Sequence, residues 1–321
     1  MGGRDGFAPG HCFGQFISAL ARFAEATGDE ATRAKTQRLV DGFAATITPD
    51  GYCYPRQKAS TNFPAYNYDN YVVGLLDMHE FAGVTAALRV LDRATKGAIR
   101  CMPPRALDRN LDPHPEGTED ESHTRGENCF DAYEVTGEKQ YLDMAERYLF
   151  DATYFDPLSR GENVLPGRHA YSHCNALSSA ATAYLVLGDA KYFEAIRNAW
   201  DMIEKTQQFA SVGWGPKETS VEPHKGKLGE SLTGTHAHFE TPCGAYAYFK
   251  LARYLLRFTG EARYGDGLER VLYNTALGAK DPSGKGHFFH YSDYPPQLRS
   301  VSPRKSGHVA PARCRKLWPI M

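Results

Sequence analysis

Residues 129–149 read CFDAYEVTGEKQYLDMAERYL, and this stretch decides the fold. Apolar and aromatic side chains recur three and four positions apart on either side of Gly137, so each half has one face to bury. Glycine ends a helix cheaply in the left-handed conformation, and the acidic residue after it favours a new helix start. The spacing therefore predicts two helices joined by a tight turn. Four further stretches have the same form: ARFAEATGDEATRAKTQRLV (21–40), LLDMHEFAGVTAALRVLDRA (75–94), TAYLVLGDAKYFEAIRNAW (182–200) and ARYLLRFTGEARYGDGLERVL (252–272), with turns at Gly28, Gly83, Gly188 and Gly260.

The period is about fifty residues, one helical hairpin per repeat, and such a hairpin must stack on its neighbours to cover its apolar face. An open solenoid and a closed α/α toroid both satisfy this. The segments entering the first helix of each pair favour the toroid, because they are long and rich in His, Tyr, Asn and Arg: GFAPGHCFGQ (6–15), STNFPAYNYDNY (60–71), DESHTRGENC (120–129), LPGRHAYSHCNAL (165–177) and the long stretch 213–244. Loops of that kind gather at one rim, where function tends to sit. The expected fold is all-α, of (α/α)6 type, with five countable hairpins and a sixth outside or hidden in irregular parts. After Leu277 the texture changes: HFFHYSDY (287–294) alternates aromatic and polar residues and reads as a strand opening a β-rich region.

The 321 residues carry a net charge of −1, with 42% hydrophobic and 23% charged residues. That balance offers no field to attract nucleic acid or an anionic membrane. No run approaches a membrane span and no signal peptide is visible, so the chain as written is expected in the cytoplasm. Seven cysteines lie far apart with no C-x-x-C pair, which reads as reduced thiols. Oligomeric state is not legible.

The densest chemistry lies between residues 213 and 243, with Glu218, Glu222, Glu230, Glu240, His224, His236, His238 and Cys243 among glycines and prolines. Glycosyl transfer needs a proton donor at the leaving oxygen and a nucleophile or base opposite it. A carboxylate-rich loop beside aromatic side chains suits that task; a solvated surface loop is the plain alternative. Glu240-Thr241-Pro242-Cys243 runs straight into an apolar helix. A carboxylate and a thiol three apart at a helix entrance can converge on one metal ion, although zinc wants four donors and two are visible. Tyr66, Asn67 and Asp69, Glu127 and Asn128, and His173 begin the first helices of their repeats, placed to meet sugar hydroxyls or simply to cap. Glu269, Tyr273 and Asn274 sit at a helix end, where a glutamate opposes the dipole.

These stretches together resemble glycoside hydrolase family 127, the family of β-L-arabinofuranosidases. The resemblance is carried by GHCFGQFISALARFAEATGD, AYNYDNYVVGLLD, ENCFDAYEVTGEKQYLDMAERY, HAYSHCNALSSAA, GWGPKET, HFETPCGAYAYFKLARYLLRFTGEARYGDGLERVLYNTALGAK and FFHYSDY, from residue 10 to about 294. It implies an (α/α)6 catalytic barrel with β-sandwich portions, and a retaining mechanism using a zinc-bound cysteine nucleophile and a glutamate acid/base. Glu240 and Cys243 fall on zinc ligands, with one proline inserted between them relative to the family's Glu-Thr-Cys. Glu218 in GWGPKET falls on the acid/base, with Glu230 in LGES as second choice. His173 and Glu269 fall on sugar-contacting positions.

The other two zinc ligands, one of them the nucleophile, come in this family from a Cys-Cys pair after the FFHYSDY strand, and the chain has no such pair. Gly307–Met321, however, can be encoded by bases that, regrouped from the last base of the Ser306 codon, spell Trp-Pro-Cys-Cys-Ser-Gly-Thr-Leu-Pro-Gln-Val-Val-Ala-Asp-Tyr. The expectation is a frameshift between about Tyr294 and Ser306, with Cys314 a product of the shifted frame and no substitute ligand. Residues 1–280 then form the barrel domain, with an N-terminus expected to be incomplete. Residues 281–294 open the β region, and 295–321 are an out-of-frame tail. Zinc belongs to the intact family member and is doubtful here; the partner is a carbohydrate, and the chain as written is expected to be inactive. The competing readings are another α/α-toroid carbohydrate enzyme without metal, such as an unsaturated glucuronyl hydrolase or an epimerase, and a non-catalytic helical-repeat binding protein.

Overall fold

The computed structural model describes residues 10–55, 63–109, 112, 120–234, 236–280 and 288–294. The chain divides into two compact units, one running through Tyr148 and the other from Leu149.

The first unit holds three hairpins: α1 (His11–Thr27) with α2 (Glu30–Thr46), α3 (Pro64–Glu80) with α4 (Ala86–Ala98), and α5 (Gly126–Thr136) with α6 (Lys139–Arg147). The second holds a short α7 (Asp156–Ser159), then α8 (Ala170–Leu187) with α9 (Ala190–Thr206), α10 (Lys227–Gly234), and α11 (Thr241–Thr259) with α12 (Ala262–Val271). Two short strands, β1 (Phe239–Glu240) and β2 (Tyr291–Ser292), pair antiparallel, Phe239 with Ser292 and Glu240 with Tyr291. Within the aromatic alternation read as a strand, Tyr291–Ser292 forms one and returns to the segment just ahead of α11. Residues 295–321, expected from the sequence to be an out-of-frame tail, lie outside the described residues.

All five predicted turn glycines have positive φ, between 67° and 73°. The step into the second helix is locked by side chains. Asp29 and Asp189 accept the backbone N–H two residues on. Where the residue after glycine is Glu138 or Glu261, its own N–H instead donates back to the hydroxyl of Thr136 (3.2 Å) or Thr259 (3.1 Å). The turn geometry therefore follows from three consecutive residues, independent of tertiary contacts.

Burial separates the two members of a pair. Every residue of α3 from Pro64 to Met78, of α8 from Ala170 to Ala183 and of α11 from Thr241 to Ala252 is buried. Their partners bury one face, as α9 does with Tyr192, Ala195, Ile196, Ala199, Trp200 and Ile203. The first helices are thus enclosed on every side, polar side chains included, and their amphipathic partners cover them. In the first unit α1 crosses α3 at two glycines: a Cβ on Gly14 would stand 1.9 Å from the Asn70 carbonyl oxygen, and one on Gly74 2.7 Å from that of Gly14. Gly14→Val should lower the unfolding free energy by about 1–3 kcal/mol or more, read as an earlier urea midpoint, because backbone cannot rotate out of the way. An unchanged midpoint would show that the helices do not meet there.

The start of α3 is held from a distance. Its N-cap residue, Phe63, has φ 54° and gives no side-chain cap. The carboxylate of Asp120 does the work instead, accepting the N–H groups of Ala65 and Tyr66, both at 3.1 Å, and of Glu121 at 2.9 Å. Asp120 is buried, and burial pushes its carboxyl up to about 7, against the opposing pull of the Ala65 N–H and the Arg125 guanidinium.

Candidate active site

Glu218 is built into its place by strained backbone. Gly215, Lys217 and Glu218 all take left-handed conformations, with φ of 71°, 54° and 62°. For Lys217 and Glu218 that costs roughly 1–2 kcal/mol each. Strain of this kind persists only where the surroundings over-determine it, and it concentrates at functional positions. Here Lys217 N–H donates to the Ala237 carbonyl at 2.8 Å, and Thr219 bridges antiparallel to His169. Ser220 N–H donates to the Arg168 carbonyl at 3.0 Å, and Gly167 N–H to that of Ser220 at 2.9 Å. This ladder sets His169 beside Glu218.

His169 is the N-cap of α8. Its Nδ1 accepts the Ser172 backbone N–H at 3.2 Å, with the Ser172 hydroxyl at 2.9 Å. That assignment leaves the proton on Nε2, which donates to Glu218 Oε2 at 3.1 Å. The other carboxylate oxygen, Oε1, accepts the Tyr291 hydroxyl. Burial, reinforced by Glu218, raises the Tyr291 phenol well above its ordinary value, so it stays a donor.

Glu240 arrives as the N-cap of α11 and as the last residue of β1. Its Oε1 lies 3.4 Å from His290 Nε2, and the Thr241 N–H donates to the His290 carbonyl at 2.8 Å. Burial pushes the His290 imidazole below its ordinary value, opposed by Glu218. Donor atoms of His169, Glu218 and Glu240 all lie within 4.8 Å of one another.

Cys243 is buried in the first turn of α11. It belongs to no three-donor group among the described residues. The zinc set that the resemblance implies needs Glu240, Cys243 and a Cys-Cys pair; the chain lacks the pair, and Glu240 groups with an imidazole and a carboxylate instead. The residues present therefore do not fit a thiolate zinc site.

Glu230 is exposed on α10 and paired with Lys227 at 2.8 Å. Glu222 and His224 are exposed, and His236 lies 3.4 Å from Asp293. His238 is buried, with Nε2 on the Ser231 carbonyl at 2.9 Å and Nδ1 accepting the Tyr294 N–H at 3.0 Å. His173 is buried one turn into α8; its Nδ1 donates to the His169 carbonyl at 3.0 Å and its ring meets Tyr154 edge-on. Glu269 is exposed in the last turn of α12, and Tyr273 is exposed beyond it.

In the first unit Tyr66, Asp69 and Glu127 are buried. Asn128 donates to Asp69 at 2.6 Å, and Gln15 to the Tyr66 hydroxyl at 3.4 Å. Sequence reasoning missed His169, Tyr291 and His290. His169 stands four residues before the chosen His173, and Tyr291 and His290 were visible only as part of a strand.

Comparison with known proteins gives the family and the fold. The family described as β-L-arabinofuranosidase, GH127 catalytic domain, matches residues 4–308. The chain belongs to this family. No curated protein sequence matches it. Among solved structures, it superposes on a GH127 β-arabinofuranosidase with a TM-score of 0.73 at 18% identity, covering 99% of this chain and 53% of that one. A GH127 β-L-arabinofuranosidase from Geobacillus stearothermophilus T6 gives 0.71 at 18% identity, covering 98% and 57%. A sugar epimerase from a ruminal bacterium gives 0.64 at 12% identity, covering 96% and 86%. The chain spans just over half the length of the two arabinofuranosidases. Likeness at such identity shows the fold, which is the α/α barrel of helical hairpins and not the open solenoid. Among the described residues no helix is long and apolar enough to cross a membrane.

Proposed function

We propose that this chain carries the acid/base part of a retaining glycoside hydrolase site that cleaves a terminal β-L-arabinofuranoside. Its family membership makes it a glycosidase relative. The observation that carries the finer reading is the Glu218 carboxylate, with His169 donating to one oxygen and Tyr291 to the other, beside Glu240.

In such a reaction one group protonates the leaving oxygen as the anomeric carbon is attacked, then takes a proton from the water that resolves the intermediate. Glu218 is suited to both turns. When it has given up its proton, its charge falls under two donors that were already in place, so little has to reorganise. Ser172 holds His169 in the tautomer that presents Nε2–H, and the raised phenol of Tyr291 keeps its proton. Glu240 adds a second carboxylate able to take a sugar hydroxyl. His173 and Glu269 are proposed as sugar contacts on the strength of the resemblance.

The attacking thiolate belongs, in this reading, to the Cys-Cys pair of the alternative frame, so residues 1–321 alone do not turn over substrate. The test compares the 321-residue chain with the full-length product of the restored frame on 4-nitrophenyl β-L-arabinofuranoside. Release of nitrophenol by the restored protein alone is expected. Release by the 321-residue chain would contradict the missing-nucleophile proposal, and a folded but silent restored protein would remove the arabinofuranosidase reading.

A further inference from the structure

In the first unit the segment at residues 50–54 lies along α4. Gly97 lets the two backbones touch: a Cβ there would stand 1.9 Å from the Gly51 carbonyl oxygen and 2.7 Å from the Tyr52 nitrogen. Arg100 ties the same stretch down, donating to the Asp50 carbonyl at 2.7 Å and to its carboxylate at 2.8 Å. Cys53 then turns back to the helix, its thiol donating to the Ala94 carbonyl at 3.8 Å. We propose that Cys53 and Cys101 form a dithiol modification site, which a peroxide closes to a disulfide joining this segment to the end of α4.

The register brings the two together. The helix runs on from α4 through a tighter turn at Ile99–Cys101, so Ala94, Gly97 and Cys101, three and four apart, share one face. A helical carbonyl points along the axis toward the C-terminus, and a Cβ leans toward the N-terminus. The thiol resting on the Ala94 carbonyl and the thiol of Cys101 therefore approach each other along that face. A disulfide needs Cα atoms within about 7 Å. Cys101 stands in the last turn, before the chain leaves the helix at Met102 with ψ 151°, and can shift to meet that limit. Burial, with Cys101 as the next contributor, pushes the Cys53 thiol up to about 12, and burial also raises Cys101 against the pull of Arg100.

Both are free thiols, and Cys53 is buried while Cys101 is half-buried, so oxidant meets Cys101 first. Its sulfur attacks one oxygen of hydrogen peroxide and loses two electrons. The O–O bond breaks, an S–O bond forms, and the second oxygen leaves as water with the thiol proton. The Cys53 sulfur then attacks that of Cys101: the S–S bond forms, the S–O bond breaks, and hydroxide leaves as water with the Cys53 proton. Because burial keeps both thiols protonated, closure takes sustained peroxide and not a trace of oxidant. The bridge closes a loop on the order of fifty residues. It also fixes the segment from which Tyr54 reaches α3, donating to the Pro64 carbonyl at 3.0 Å. None of this depends on the glycosidase reading.

The test treats the chelator-treated 321-residue chain with hydrogen peroxide, alkylates the remaining thiols in denaturant and maps the peptides by mass spectrometry. A pair joined through Cys53 and Cys101, two hydrogens lighter than its parts and separated by dithiothreitol, is expected. C101S should lose the pair and leave Cys53 alkylated. The urea midpoint of the oxidised parent should rise above that of the reduced chain, with no such rise in C101S. Far-ultraviolet circular dichroism checks that the variant is folded, and the map of the parent decides without it. Cys53 recovered alkylated from the oxidised parent, or bridged to another cysteine, would overturn the site. So would a Cys53–Cys101 bridge that forms as fast in the urea-unfolded chain, since the fold would then contribute nothing. An unchanged midpoint in the bridged chain would overturn the fixing of the segment.

Discussion

Glu218→Gln, made in the restored-frame protein, should slow turnover of an arabinofuranoside by about 10²- to 10⁴-fold, the range of a lost general acid/base. The amide keeps the size of the side chain but has no proton to give and takes none from water. KM should change far less than kcat, since the proton transfer made by Glu218 belongs to the chemical step. Glu230→Gln is the matched comparison: Glu230 is exposed and engaged with Lys227, and its loss should leave turnover unaltered. Steady-state kinetics of the two variants decide between the two glutamates that motif reasoning ranked first and second. A silent Glu230→Gln protein beside an active Glu218→Gln protein would reverse the assignment.

The second large effect concerns stability. The carboxyl of Asp120 is raised from 3.8 to about 7, so the folded chain holds its proton more tightly than the unfolded chain does. The stabilisation from that proton is complete below about pH 4 and is lost as pH rises through about 7. A rise of that size corresponds to on the order of 4 kcal/mol. Asp120→Asn has no charge to desolvate and retains one oxygen for the amides of α3. The difference in unfolding free energy between parent and variant should therefore slope steeply between pH 4 and 7 and flatten above it. Urea denaturation across that range measures it, and parallel pH profiles for the two chains would show that Asp120 is not held as described.

Much of the fold was legible because helix-ending glycine chemistry is local. Gly28, Gly83, Gly137, Gly188 and Gly260 take positive φ for reasons contained in a few neighbouring residues, and the five hairpins follow from them. The site was legible in part. Glu218 and Glu240 stood out as carboxylates at a loop and at a helix entrance, but composition alone could not tell Glu218 from Glu230. What separates them is the left-handed backbone of residues 217 and 218 and the ladder to residues 167–169, which depend on tertiary pairing. His169 was hidden for the same reason: nothing local says that a capping histidine faces a glutamate 49 residues away. Tyr291 reaches Glu218 because β2 pairs with β1, a contact between distant segments that periodicity cannot encode. Zinc was expected for the intact family member and doubtful for this chain, which holds Glu240 and Cys243 of the implied ligands and no Cys-Cys pair; grouped with Glu240 are His169 and Glu218, a neighbourhood that only tertiary pairing creates.

The most direct measurement is a crystal structure of this chain soaked with L-arabinose. A sugar is expected with ring oxygens or hydroxyls at about 3 Å from Glu218 and Glu240, with His169 still on Glu218. A sugar bound elsewhere, or a Glu218 turned out to solvent and parted from His169 and Glu240, would contradict it.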